Sequence, residues 1–145
     1  MEDPAILAEF IAEAREHLSA LMDGLLALEN LPGDQFQASI NPLFRAMHSI
    51  KGSAGFLGLQ HLEHLAHATE TLLDAMRKGS VAPSPQVTDL LLKVADRLQA
   101  RVEGLPESEK SGSPNDGELM DKLKACATGK APPPPVVPAP QPTIP

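Results

Sequence analysis

Apolar residues recur every three or four positions along most of the chain, a helical period. Leu7, Phe10, Ile11, Ala14, Leu18, Leu21, Leu25 and Leu28 form the first stripe. Asp3 ahead of it predicts an N-cap, and Pro4 falls in the first turn, where a missing N–H is no loss. Leu31-Pro32-Gly33-Asp34 predicts the end of this helix. A second helix is expected from about Gln35 to Leu57, with Pro42 marking a kink or a late start. A third runs from about Gln60 to Lys78 and stops at Gly79. Ser84-Pro85 opens a fourth, which carries Leu90, Leu91, Val94, Leu98 and Val102 before Gly104 and Pro106 close it. A looser segment, Glu107 to Gly117, precedes a short fifth helix through about Ala127. Short connections between amphipathic helices imply antiparallel neighbours. The expected fold is all-α: an up-down four-helix bundle with an additional C-terminal helix, alongside it or partly detached.

Composition agrees with this. Of 145 residues 42% are hydrophobic, enough for one packed core. Leu and Ala dominate, and there are four Phe but no Tyr or Trp. A net charge of −7 argues against nucleic acid as a partner, because phosphate contacts need clustered Lys and Arg. Cys126 is the sole cysteine, so no internal disulfide can form, which fits a reducing, cytoplasmic location. No apolar run approaches the roughly 20 residues of a membrane span, so no membrane insertion is expected. The acidic start Met1-Glu2-Asp3-Pro4 lacks a signal-peptide pattern. Residues 131–145 hold eight of the fifteen prolines and no charged side chain. They read as an extended linker or tail behind a bundle of residues 1–130. A linker ending abruptly suggests one piece of a longer protein; an ordinary disordered tail is the alternative.

Candidate chemistry lies on the second and third helices. Leu43, Met47, Ile50, Ala54 and Leu57 form the apolar stripe of the second. At about 100° per residue, His48 falls roughly 140° from the stripe centre, on a solvent-facing flank. Gly52 and Gly55 share that flank, and Lys51 lies nearer the core boundary. Glycine inside a helix costs about 1 kcal/mol relative to alanine. Two readings account for the pair: close helix packing, or clearance for another protein's active site to reach the imidazole. On the third helix His67, Glu70, Glu63 and Asp74 share a flank beside the stripe of Leu62, Leu65, Ala66, Thr69, Leu73 and Met76. Folding the helices about Leu59 sets His48 level with Glu70, and Lys51 level with His67. A carboxylate accepting the Nδ1–H of a neutral imidazole leaves the Nε2 lone pair free as a nucleophile. Glu70 then orients His48 and stabilises positive charge on the ring. Lys51 supplies positive charge near phosphoryl oxygens, and His67 joins the same network. Phosphoryl transfer needs positioning and charge compensation above all.

Leu43-Phe44-Arg45-Ala46-Met47-His48-Ser49-Ile50-Lys51-Gly52-Ser53-Ala54-Gly55 resembles the phosphorylation-site helix of histidine-phosphotransfer domains. Within that family it is most similar to the N-terminal domain of CheA chemotaxis kinases. His67-Ala68-Thr69-Glu70 stands where the family places its supporting His and Glu, and the resemblance extends to about Ala127. It implies phosphorylation of His48 at Nε2, transfer to an Asp of a CheY-like response regulator, and supporting roles for Lys51, His67 and Glu70. Ser53 stands where many such sequences have Gly. The chain carries no glycine-rich ATP-binding segment and no receiver. A CheA-type kinase domain, in cis or in trans, is therefore expected to use ATP and Mg²⁺, and the receiver its own Mg²⁺, with no cofactor in this chain. Helical geometry nominates Arg45, Ser49, Gly52, Gly55 and Phe56 as partner-docking positions.

Two other function classes compete. His61, His64 and His67 recur at metal-ligand spacing beside Glu63 and Glu70. They sweep about 120° of the helix surface, and only His48 offers a fourth ligand, so the bland reading of exposed polar surface is preferred; His17 is read the same way. A helical adaptor without chemistry is the other rival, against which the His48 cluster speaks.

Overall fold

The computed structural model describes residues 4–28, 33–81, 84–105, 107–110 and 114–128. These form α1 (Pro4–Leu28), α2 (Gly33–Phe56), α3 (Gln60–Arg77), α4 (Pro85–Glu103) and α5 (Pro114–Ala127), with one 3₁₀ turn at Glu107–Glu109. The expected cap at Asp3 and the proline-rich segment 131–145 lie outside the described residues. Among the described residues α1 packs on α2 and α4, and α3 packs on the same two helices, so four helices close a ring. α5 lies across α3 and α4.

The stripes read from the sequence meet at the centre of that ring. Leu18, Leu21 and Leu25 of α1, Met47 and Ile50 of α2, Leu65, Leu72 and Leu73 of α3, and Leu91, Val94 and Leu98 of α4 are all buried. Full burial of each such side chain contributes about 1.5–3 kcal/mol. α2 runs through Pro42 without a break, so the late start weighed for this helix does not occur. Pro42 lies on the exposed face, while Ile40, Leu43 and Met47 anchor the helix to the core on either side of it. That anchorage offsets the hydrogen bond proline cannot donate.

Turn chemistry fixes the α2–α3 hairpin. Gly58 takes a φ of 76°, in the left-handed region open to glycine. Its N–H donates to the Gly55 carbonyl at 3.2 Å, and that of Leu59 to the Ala54 carbonyl at 2.9 Å. The pair is a Schellman C-cap, with Leu59 buried against the core. Gly79 ends α3 likewise, with a φ of 84°. α4 starts as expected, Ser84 Oγ accepting from the Val87 N–H at 3.2 Å.

The segment after α4 is more ordered than its sequence promised. Glu109 reaches α3 and accepts from the backbone N–H of His61 at 3.0 Å and Leu62 at 2.7 Å. Leu59, the N-cap of α3, makes no side-chain capping bond. A carboxylate from a distant segment thus caps this helix, where exposed N–H groups and the helix dipole both favour an anion. α5 is docked: Leu123 and Cys126 are buried, and Asp116 accepts from Arg97 and from the fully buried Arg101. Arg101 also donates to the Ser108 carbonyl, which ties the 3₁₀ turn to α4.

Candidate functional site

The core stripe of α2 decides where His48 points. With Met47 and Ile50 buried at either side of it, His48 faces outward, its side chain 62% exposed. Among the described residues, the one side chain that holds it by a hydrogen bond belongs to the other half of the hairpin. Glu70 of α3, whose side chain is only 8% exposed, accepts from the Nδ1–H of His48 through Oε2. In the neutral ring this bond requires the proton on Nδ1 and leaves the lone pair on Nε2, on the ring's far side from Glu70. The second carboxylate oxygen, Oε1, takes Lys51 Nζ at 2.9 Å. Burial disfavours the charged form of Glu70. The hydrogen bonds from Lys51 and His48, reinforced by the Lys51 charge, outweigh that, and its carboxyl lies below the ordinary carboxylate value.

Three of the four residues expected to meet do so. His48 and Glu70 are paired as the pivot at Leu59 implied. Lys51, set level with His67 by the same register, instead reaches Glu70, because its long side chain spans the extra turn. His67 lies one turn before Glu70 and is exposed. It lines a hollow between α3 and α5 with His64, Thr71, Met120 and Lys124, and among the described residues its ring makes no hydrogen bond. Being three residues from Glu70, it is turned about 60° around α3, away from the α2 seam.

The surface around His48 separates the two glycine readings. A Cβ on Gly52 would meet nothing within 4 Å, whereas one on Gly55 would come within 2.9 Å of Glu63 Oε2. Gly55 faces the flexible end of Glu63 on α3, which a methyl group would displace; Gly52 keeps open surface one turn beyond His48. Arg45 and Ser49 are exposed. Phe56 is 86% exposed, and with Ile6, Glu9, Phe10, Glu13 and Gly52 it borders a groove between α1 and α2.

Sequence reasoning missed one neighbour of the imidazole and the group that stands behind it. Phe44, four residues before His48, lies with its ring nearly parallel to it, at 18° and 6.1 Å between centroids. Arg77 of α3 sits over the Phe44 ring, 4.6 Å from its centroid. The i, i+4 spacing of Phe44 and His48 was the available signal; nothing local pointed to Arg77.

No three His, Cys, Asp or Glu side chains converge on a metal position among the described residues, and no described helix is long and apolar enough to cross a membrane.

Known proteins resemble this chain in sequence and fold. The Hpt domain family matches residues 5–105. The chain is 36% identical over 123 residues to the chemotaxis protein CheA of Rhizobium meliloti (strain 1021), covering 85% of this chain and 16% of that protein. It is 34% identical over 128 residues to the CheA of Cereibacter sphaeroides, covering 88% of this chain and 19% of that one. It thus spans less than a fifth of the length of these relatives. Among solved structures, the phosphorylated P1 domain of CheA3 in complex with CheY6 from R. sphaeroides superposes with a TM-score of 0.74 at 30% identity, over 88% of this chain and 98% of that one. The solution structure of the histidine phosphotransfer domain of CheA gives 0.71 at 31% identity, over 86% and 92%. With its bundle, its exposed histidine bonded to a buried glutamate and a family match over most of its length, the chain belongs to the Hpt domain family.

Proposed function

We propose that this chain is the phosphoryl carrier of a chemotaxis pathway, receiving phosphate on His48 from a CheA-type kinase domain and passing it to an aspartate of a CheY-like receiver. The observation that carries this is the hydrogen bond between His48 Nδ1 and the buried Glu70, which leaves Nε2 as the exposed nucleophile. Nε2 attacks the γ-phosphorus of ATP held with Mg²⁺ in the kinase domain. The N–P bond forms as the bond to the bridging oxygen breaks, and ADP leaves. In the second step a receiver aspartate oxygen, with the receiver's Mg²⁺, attacks phosphorus and the N–P bond breaks. The phosphorylated ring carries positive charge, which Glu70 offsets. Lys51 stands one turn away and places an ammonium beside the same carboxylate. His67 takes a supporting part by rotating its exposed ring toward Glu70.

The receiver docks over Arg45, Ser49, Gly52, Gly55 and Phe56. The complex of CheY6 with a P1 domain similar to this chain supports a receiver as acceptor. The kinase acts in cis or in trans, and the cytoplasm is the compartment where ATP and such partners meet. The test is label transfer from γ-labelled ATP by a CheA-type kinase core to wild type, His48→Gln, Glu70→Ala and His67→Gln. Acid-labile label on wild type and none on His48→Gln is expected, with Glu70→Ala slowed by up to about 100-fold and His67→Gln slowed less. A folded wild type that stays unlabelled across a panel of such kinases would sink the proposal.

A further inference from the structure

One hydrogen bond holds a nitrogen but does not hold a ring plane. His48 is mostly exposed, and its ring's only hydrogen bond among the described residues is the one from Nδ1 to Glu70. Pivoting of the imidazole about that hydrogen bond, through partial rotation at Cα–Cβ and Cβ–Cγ, would tilt the ring plane and carry Nε2 out of line with any incoming phosphorus. In-line displacement is sensitive to such misplacement.

Phe44 supplies a second constraint. Its ring lies four residues earlier on the same face of α2, and its near-parallel placement is within the offset-stacking range for aromatic pairs. Phe44 is itself clamped. The Arg77 guanidinium sits over its face at 4.6 Å, a cation–π contact. Arg77 donates to Asp74 at 2.5 Å, and Lys78 Nζ lies 3.0 Å from the other oxygen of Asp74. Those hydrogen bonds hold the Asp74 carboxyl below its ordinary value against partial burial. Arg77 Nε is buried with no hydrogen-bond partner among the described residues. An unpartnered buried N–H is costly, so the guanidinium is not placed by its own hydrogen bonding alone; the aromatic face is what it meets instead.

We propose that Phe44, clamped by Arg77, is a positioning residue that sets the plane of the His48 ring: Glu70 holds the nitrogen and Phe44 holds the face. Phe44 touches no reacting atom and acts through the imidazole. A residue that merely filled the edge of the core would leave the tautomer and ring order of His48 unchanged when replaced by another apolar side chain.

The test uses the 145-residue chain with ¹⁵N-labelled histidine, comparing wild type, Phe44→Leu, Phe44→Tyr and Arg77→Gln. Long-range ¹⁵N–¹H spectra are expected to show His48 as the Nδ1–H tautomer in wild type and as a tautomer mixture in Phe44→Leu. With the kinase core, Phe44→Leu is expected to lower kcat roughly three- to tenfold with KM for the kinase nearly unchanged. Phe44→Tyr restores both readouts, and Arg77→Gln falls between. Wild-type tautomer and kcat in Phe44→Leu, or no rescue by tyrosine, would overturn the proposal. Should Phe44→Leu fail to fold, Arg77→Gln decides, with unchanged spectra and kcat counting against it. The kinetic arm rests on the phosphoacceptor reading and the spectral arm does not, so an unphosphorylated wild type with an ordered His48 ring would fell that reading alone.

Discussion

At the scale of single residues the site is a balance between exposure and restraint. Gly52 sits one turn beyond His48 with open space where a side chain would be. Gly52→Ala is expected to raise stability by about 0.5–1 kcal/mol, since alanine is the better helix former and nothing obstructs its methyl group. It should nonetheless slow transfer to the receiver, because the methyl group stands on the approach to Nε2. Denaturant unfolding and transfer kinetics on the same samples check this; a more stable variant with undiminished transfer would remove the clearance role. Glu70 makes the pH dependence. Its carboxyl lies lower in the folded protein than in the unfolded chain, because the bonds from Lys51 and His48 outweigh the effect of burial. That stabilisation is present in full above the unfolded carboxylate value and is lost as pH falls through the folded one. The stability gap between wild type and Glu70→Gln should therefore close on moving from neutral pH into the acid range. Urea midpoints at stepped pH measure it, and a gap constant to about pH 3 would contradict the assignment.

At the scale of elements, α2 and α3 act as one hairpin, and the site belongs to their seam. The Schellman turn at Gly58 sets the pivot, and from there the equal rise of two α-helices keeps His48 beside Glu70. The start of α3 depends on Glu109, which sits 47 and 48 residues along the chain from the N–H groups it caps. Glu109→Ala is expected to cost about 0.5–2 kcal/mol, as losing a cap does elsewhere, and to speed amide exchange at His61 and Leu62 ahead of the rest of α3. Exchange at those two amides unchanged from wild type would mean the carboxylate caps nothing in solution.

For the whole molecule the question is what joins the fifth helix to the ring. Leu123 and Cys126 are buried beneath it, and burial pushes the Cys126 thiol above its ordinary value. A thiol so held is a core side chain rather than a nucleophile. The directional restraint is Asp116 between Arg97 and Arg101. Removing one partner of a buried pair leaves an uncompensated charge. Asp116→Ala is accordingly expected to lose about 3–5 kcal/mol, read from chemical denaturation, with α5 loosening first in hydrogen exchange. A loss near zero would show that the helix is held by its apolar contacts alone. His48 lies on α2, outside this contact, so the variant should still accept phosphate wherever it remains folded.

The sequence by itself determined what is local or strictly periodic. Stripe, cap and breaker residues placed the first four helices within a few positions, with Pro42 an ambiguity in the second, while the docking of the fifth stayed open, and the offset of His48 from its stripe put it on the surface. The His48–Glu70 pairing was legible as well, because two helices leaving one tight turn share the same rise per residue and keep their register. Tertiary structure alone decided the rest. Whether Lys51 meets His67 or Glu70 depends on the reach of a flexible side chain, which spacing cannot rank. Whether Arg77 lies over Phe44 depends on how far the two helices are rotated about their axes. Glu109 and Asp116 sit in a segment without a clear period, and their partners on α3 and α4 become neighbours only once the bundle has closed.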